Sequence, residues 1–229
     1  MNKNILNKID KLIENYHVLK HPFYNKLSTG DLPVKSLKNF AIQYSHHVSK
    51  FPRYISAIHS NCDQIKIRQL LLENLNEEEN KNENHPELWY RFMYGLGINF
   101  KEINEKVILE ATHNLDRAFC LLSKSEKYHI GLAALYCYEY MQPEVSVVQK
   151  QSIKKYYNIK NEDALRYFTV HMSADKRHRK ILRKIVMKLC DSVSKENDII
   201  GSVKIALGSL NNFLSVIFKS YNTSPQISI

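Results

Sequence analysis

Apolar residues recur at helical spacing along almost the whole chain. Ile5, Ile9, Leu12, Ile13 and Tyr16 fall on one face and predict a first helix over residues 3–17. His21-Pro22-Phe23-Tyr24 opens a short second helix that ends near Gly30. Asp31-Leu-Pro33 then starts a long one carrying Leu37, Phe40, Ala41, Tyr44, His47 and Val48, with a break or kink expected at Pro52. Residues 65–79 are amphipathic, with Ile67, Leu70, Leu71 and Leu75 on one side. Asn84-His-Pro86 caps a helix through Trp89, Phe92 and Met93, which Gly95 and Gly97 end. Residues 108–122, 128–157, 161–190 and 196–221 supply four more, with Pro143 bending the second of these. No segment alternates with period two for long enough to predict a strand. The pattern specifies an all-α chain.

Length and composition narrow this further. A chain of 229 residues suits a single domain, here 1–221, with residues 222–229 expected as a mobile tail. Hydrophobic residues make up 44%, while only six Gly and six Pro occur, which favours a compact helical protein over a disordered one. The net charge of +10 would suit an anionic partner. Yet Lys is spread evenly, alongside abundant Asn and Ile, and no basic–aromatic cluster or nucleic-acid motif accompanies it, so no nucleic-acid partner is expected. Cys62, Cys120, Cys137 and Cys190 form no C-x-x-C pair and indicate neither a zinc ribbon nor a disulfide framework. The first ten residues lack a signal-peptide core, and no apolar run of about 18 residues stands out. A cytoplasmic protein without a membrane span is expected; export by a specialised secretion system would escape this test.

Candidate chemistry lies in three segments. His171, Asp175 and His178 sit at i, i+4 and i+7 and share one helix face. Glu139 ends the apolar run Ile130-Gly-Leu-Ala-Ala-Leu-Tyr-Cys-Tyr-Glu139, where a carboxylate is costly unless paired, protonated or on a metal. Glu77-Glu78-Glu79 stands at a helix C-terminus, where acids oppose the helix dipole, and His85 follows shortly after. Glu78, His85, Glu139, His171, Asp175 and His178 together give three imidazoles and three carboxylates, a sensible shell for two divalent ions. Such sets occur in di-iron carboxylate bundles. Zinc prefers closed four-ligand shells richer in sulfur or nitrogen, so iron or manganese suits this set better.

Several motifs resemble one family. His21-Pro-Phe-Tyr24, Gln43-Tyr-Ser-His-His47, Phe51-Pro-Arg-Tyr54 and Leu70-Leu-Leu-Glu-Asn74 are similar to segments of the family of the Chlamydia protein associating with death domains (CADD). Asn84-His-Pro-Glu-Leu-Trp89, Ala134-Leu-Tyr-Cys-Tyr-Glu139 and His171-x3-Asp175-x2-His178 continue the likeness over roughly residues 5–215. The resemblance implies a heme-oxygenase-like helical fold, shared with the TenA and PqqC groups, and a dinuclear metal centre on the six residues above. It also implies oxygen-dependent formation of 4-aminobenzoate for folate synthesis, with the ring taken from one of the protein's own tyrosines. Tyr24 matches the ring-donor position. O2 would be the co-substrate and Fe/Fe or Fe/Mn the metal pair.

This chain departs from the family pattern twice. Phe40 stands where relatives carry a second tyrosine, and Gln149 stands where a lysine is expected, with Lys150 next door. A one-residue offset turns a helical side chain by about 100°. Other readings lead elsewhere: a TenA-type enzyme with Cys137 as nucleophile, a metal-free PqqC-like oxidase, or a non-enzymatic host protein binding death domains. Homodimerisation and a host death-domain partner are the associations these readings allow.

Overall fold

The computed structural model describes residues 2–222, and within them the side chains of residues 5–172 and 178–220. Among the described residues, ten α-helices form the bundle: α1 (Asn2–Asn15), α2 (Pro22–Thr29), α3 (Val34–Asn61), α4 (Ile65–Glu78), α5 (His85–Gly95), α6 (Phe100–Glu105), α7 (Glu110–Ser123), α8 (Tyr128–Tyr156), α9 (Arg166–Leu189) and α10 (Val193–Asn222). Among the described residues there is no strand, as the periodicity predicts.

Helix α8 is the axis. Leu132 through Glu139 are buried without a break, so the helix has no polar side in that stretch and needs neighbours all round. It packs against α9, α10, α7, α3 and α2. Gly131 permits the closest approach: a Cβ there would lie 2.6 Å from Ile58 Cγ1 on α3. Both interior prolines are absorbed, and α3 and α8 run through Pro52 and Pro143 as single helices. Helix α1 buries Ile5, Ile9 and Ile13, one per turn, against α10 and α9.

Helix α10 qualifies the expectation of no long apolar run, because an 18-residue window within Val193–Ser220 is apolar enough to cross a membrane by composition alone. In the bundle, Ile199, Val203, Ala206, Leu207, Leu210, Phe213, Leu214 and Ile217 are buried in the core, which accounts for that hydrophobicity.

Three local devices aim the site. Asn84 caps α5 by accepting from the Glu87 amide at 2.9 Å, which puts His85 in the first helical turn with its ring inward. The His21 ring accepts from the Phe23 amide at 3.1 Å through Nδ1 and meets Ser215 Oγ at 3.0 Å through Nε2, docking the start of α2 on α10. Gly30, at φ +82°, ends α2 in the left-handed region that glycine favours. Helix α6 was not anticipated. It buries no residue, so no apolar stripe marks it; its start is fixed by a capping box between Asn99 and Glu102. The expected tail lies outside the described residues from 223 onward.

Candidate metal centre

Glu78, His85 and His171 come from three helices, and all three are buried. One ligand atom from each lies within 4.8 Å of the others, compatible with a single ion at their centre. Glu78 Oε2 is 2.8 Å from His85 Nδ1. The His85 and His171 rings are 4.4 Å apart. His171 Nδ1 is 2.7 Å from the Tyr167 carbonyl. A carbonyl only accepts, so Nδ1 carries the proton and the Nε2 lone pair is left for a ligand.

Glu139 and His178 stand beside this triad. Glu139 is 2% exposed; its Oε1 accepts from Asn74 Nδ2 at 2.7 Å, whereas its Oε2 accepts no hydrogen bond among the described residues. His178 Nδ1 lies 3.8 Å from that Oε2, and His178 Nε2 lies 3.3 Å from Glu77 Oε2. A buried carboxylate oxygen of this kind is costly unless a proton or a cation satisfies it. Asp175 is on α9, but its side chain lies outside the described residues.

Electrostatics support the same picture. Burial, with Glu78 and Glu77 nearby, pushes Glu139 up to about 8 despite the Asn74 hydrogen bond. Burial opposes charge on Glu78 as well, but His85 outweighs it and holds the carboxyl below its usual value. His85 is raised in turn, since its Glu78 partner exceeds the penalty of burial. His171 falls to about 3, chiefly through burial, and stays a neutral imidazole. A neutral His and an ionised Glu are the forms that bind metal. The donor set fits a divalent first-row ion on its own chemistry.

The other sequence-derived candidates are dispersed. Tyr24, from α2, is buried, and its hydroxyl accepts from Gln149 Nε2 at 3.2 Å. Burial and nearby Tyr44 raise its phenol well above the ordinary value. Phe40 packs between the rings of Phe23 and Tyr44, at 4.8 and 5.2 Å. Lys150 points elsewhere: its ammonium pairs with Glu162 Oε2 and Thr169 Oγ1, each at 2.8 Å. Cys137 is fully buried, its thiol bonded to the Ala134 carbonyl and raised by burial, which disfavours a thiolate nucleophile.

Residue-by-residue reading of the sequence did not assign four further contributors. Asn74 fixes Glu139, Glu77 faces His178, and the Tyr44 and Tyr138 hydroxyls meet at 2.6 Å within the aromatic wall.

A family model described as iron-containing redox enzyme matches residues 38–208. A 4-aminobenzoate synthase of Chlamydia muridarum is 39% identical over 76% of this chain and 74% of that protein. One of Chlamydia pneumoniae is 35% identical over 93% of this chain and 94% of its own. A TenA homologue from Pseudomonas syringae, 16% identical, superposes with a TM-score of 0.81 over 95% of this chain and 92% of that one, which shows the shared fold.

Proposed function

Because the chain belongs to the iron-containing redox enzyme family, we propose that it forms 4-aminobenzoate in an oxygen-dependent reaction at a two-metal centre, as its likeness to 4-aminobenzoate synthases suggests. The observation that carries this reading is the buried cluster of Glu78, His85 and His171, with a Glu139 oxygen that has no donor among the described residues. One ion would rest on Glu78, His85 and His171. The second would draw on Glu139 and His178, with Asp175 from the same helix face. Oxygen-rich ligation favours Fe/Fe or Fe/Mn. When bound, reduced ions would supply the electrons that activate O2.

The chain's own residues prepare for this. Tyr167 holds His171 in the tautomer that offers Nε2. Burial pushes the Glu139 carboxyl up to about 8, and it would give up its proton in holding a cation. Tyr24 stays a neutral phenol, oriented by Gln149, and lines a small cavity with Phe40, Tyr44 and Tyr138. We propose Tyr24 as the ring donor, so that the protein consumes itself. Gln149, occupying the expected lysine position, leaves the nitrogen to be supplied from elsewhere.

The test is direct. Protein loaded with Fe(II) and given O2 and a reductant should release 4-aminobenzoate without an added aromatic substrate, at no more than about one per chain, the ceiling set by one donor tyrosine per site. Ring-labelled tyrosine incorporated during expression should appear in the product, and Tyr24→Phe should abolish it while metal remains bound. Repeated turnover on an added substrate, with Tyr24→Phe fully active, refutes self-consumption.

A further inference from the structure

Two histidines stand at matching positions in the segment that carries Tyr24. His17 precedes a one-turn 3-10 helix, Val18–Lys20, and His21 joins that turn to α2. Each ring uses the Nδ1 lone pair to accept from a backbone amide two residues on, His17 from Leu19 at 3.2 Å and His21 from Phe23 at 3.1 Å. Asn, Asp, Ser and Thr are the usual residues for this task, and none of them gains a proton near neutral pH. An imidazole performs it only while neutral.

The other contacts of His21 follow from that constraint. With Nδ1 accepting, the ring proton sits on Nε2, which donates to Ser215 Oγ on α10 at 3.0 Å. The His21 amide donates to the Val18 carbonyl at 3.0 Å. One residue therefore closes the turn, starts α2 and docks it. A second proton would set Nδ1–H against the Phe23 N–H, two donors face to face, and the first turn of α2 would lose its acceptor.

The surroundings favour neutral rings. Burial lowers His21. Helix α10 presents Ser215 and the edge-on Phe218 ring to it, and Lys20 is its neighbour in the chain. Burial also lowers His17, opposed by Glu144 and helped by Lys20 and Arg179. Both residues are only half-buried, so solvent protons reach them. A histidine lowered by folding contributes stability that is complete above its ordinary value of about 6.5 and is lost as pH falls below it.

Helix α2 packs on the turn, α8 and α10. Its Phe23, Tyr24 and Leu27 are buried, and Tyr24 with Val18 lines the small cavity beside Tyr44 and Tyr138. Those anchors keep α2 on the core, so a lost cap loosens the segment without detaching it.

We propose that His17 and His21 form a proton-sensitive latch on the Tyr24 segment, closed while both rings are neutral and slackened when they are protonated. Its bearing on the chemistry rests on the reading of Tyr24 as ring donor; the latch itself does not.

Amide hydrogen exchange in the full chain, corrected for intrinsic rates, would compare about pH 7 with about pH 5. Protection at Tyr24–Leu27 should fall about tenfold at the lower pH relative to Leu132–Cys137 on α8, the effect of one lost cap. His17→Asn combined with His21→Asn supplies acceptors that do not titrate, so that protein should be equally protected at both values. His21→Ala should be as weakly protected at both as wild type is in acid. Nitrogen NMR of the wild type adds a readout that no folding defect in a variant can disturb: at about pH 7 the His21 proton should sit on Nε2. No fall at α2 relative to α8, a full fall in the double asparagine protein, or a proton on His21 Nδ1 at neutral pH overturns the proposal. None of these measurements uses metal, oxygen or product, so the latch and the oxygenase reading fail separately.

Discussion

Gln149 Nε2 donates to the Tyr24 hydroxyl across 3.2 Å, joining α8 to α2 inside the core. Gln149→Leu should cost about 1–2 kcal/mol, since it leaves a buried phenol short of one partner. Urea denaturation would read this. A loss below about 0.5 kcal/mol would mean that the bond contributes nothing measurable.

Metal content should follow the cluster. Glu78→Ala, Glu139→Ala and His171→Ala should each lower bound iron or manganese below the wild-type stoichiometry in elemental analysis. If all three variants retain full metal, the ligand set is wrong. Wild-type protein should also melt at a higher temperature with Fe(II) or Mn(II) than after chelation, because binding to the folded state alone stabilises it. Superimposable melting curves would argue against an internal centre.

The pH dependence of the metal-free protein has a defined sign. The folded state holds the Glu139 proton up to about 8, whereas an unfolded glutamate releases it near about 4.3. Between those values the folded chain binds the extra proton, so stability is fully present at the acid end and declines as pH rises through the window. His171, depressed to about 3, contributes in the opposite direction, with stability lost as pH falls. Comparing metal-free wild type with Glu139→Gln isolates the first effect: the variant should lose less stability between about pH 5 and 8. Parallel profiles would show that Glu139 is ionised in the bare site.

Packing around the central helix gives a prediction free of metal. Gly131→Ala should destabilise by about 1–3 kcal/mol, because the new methyl meets Ile58 Cγ1 at 2.6 Å. Ile58→Ala should cost about 2–5 kcal/mol by itself. The double variant should lose less than the sum, since each change relieves the other. Strict additivity in a denaturation cycle would mean that α3 and α8 shift apart freely.

The helical frame was readable because most elements pay for their burial with an apolar face, as with Ile5, Ile9 and Ile13. Helix α6 has no such face and could be found only through its Asn99–Glu102 cap. Among the site residues, Glu139 was legible for the same reason it is costly: an acid inside an apolar run. The Glu77–Glu79 triplet was harder. Successive residues on a helix diverge by about 100°, so Glu77 faces His178, Glu78 faces His85, and Glu79 is exposed. Pattern alone does not say which turns where without the partner helix. Asp116 shares the buried side of α7 with Thr112, Leu115 and Phe119 and carried the same signal as Glu139. Distant amides such as Asn74 left none, because a side chain that supports a ligand 65 positions away has no local period.

The wide spacing of the cluster along the chain has a consequence for synthesis. Glu78 and His85 leave the ribosome early, Glu139 later, and His171 only with α9, so a partly translated chain holds just part of the ligand set. Domains form as units and the N-terminal part emerges first. The candidate ligand set is therefore complete only once α9 has been made, when most of the bundle is available to enclose it. Under the self-consuming reading, the order of the sequence itself would protect the unfinished protein from spending its tyrosine.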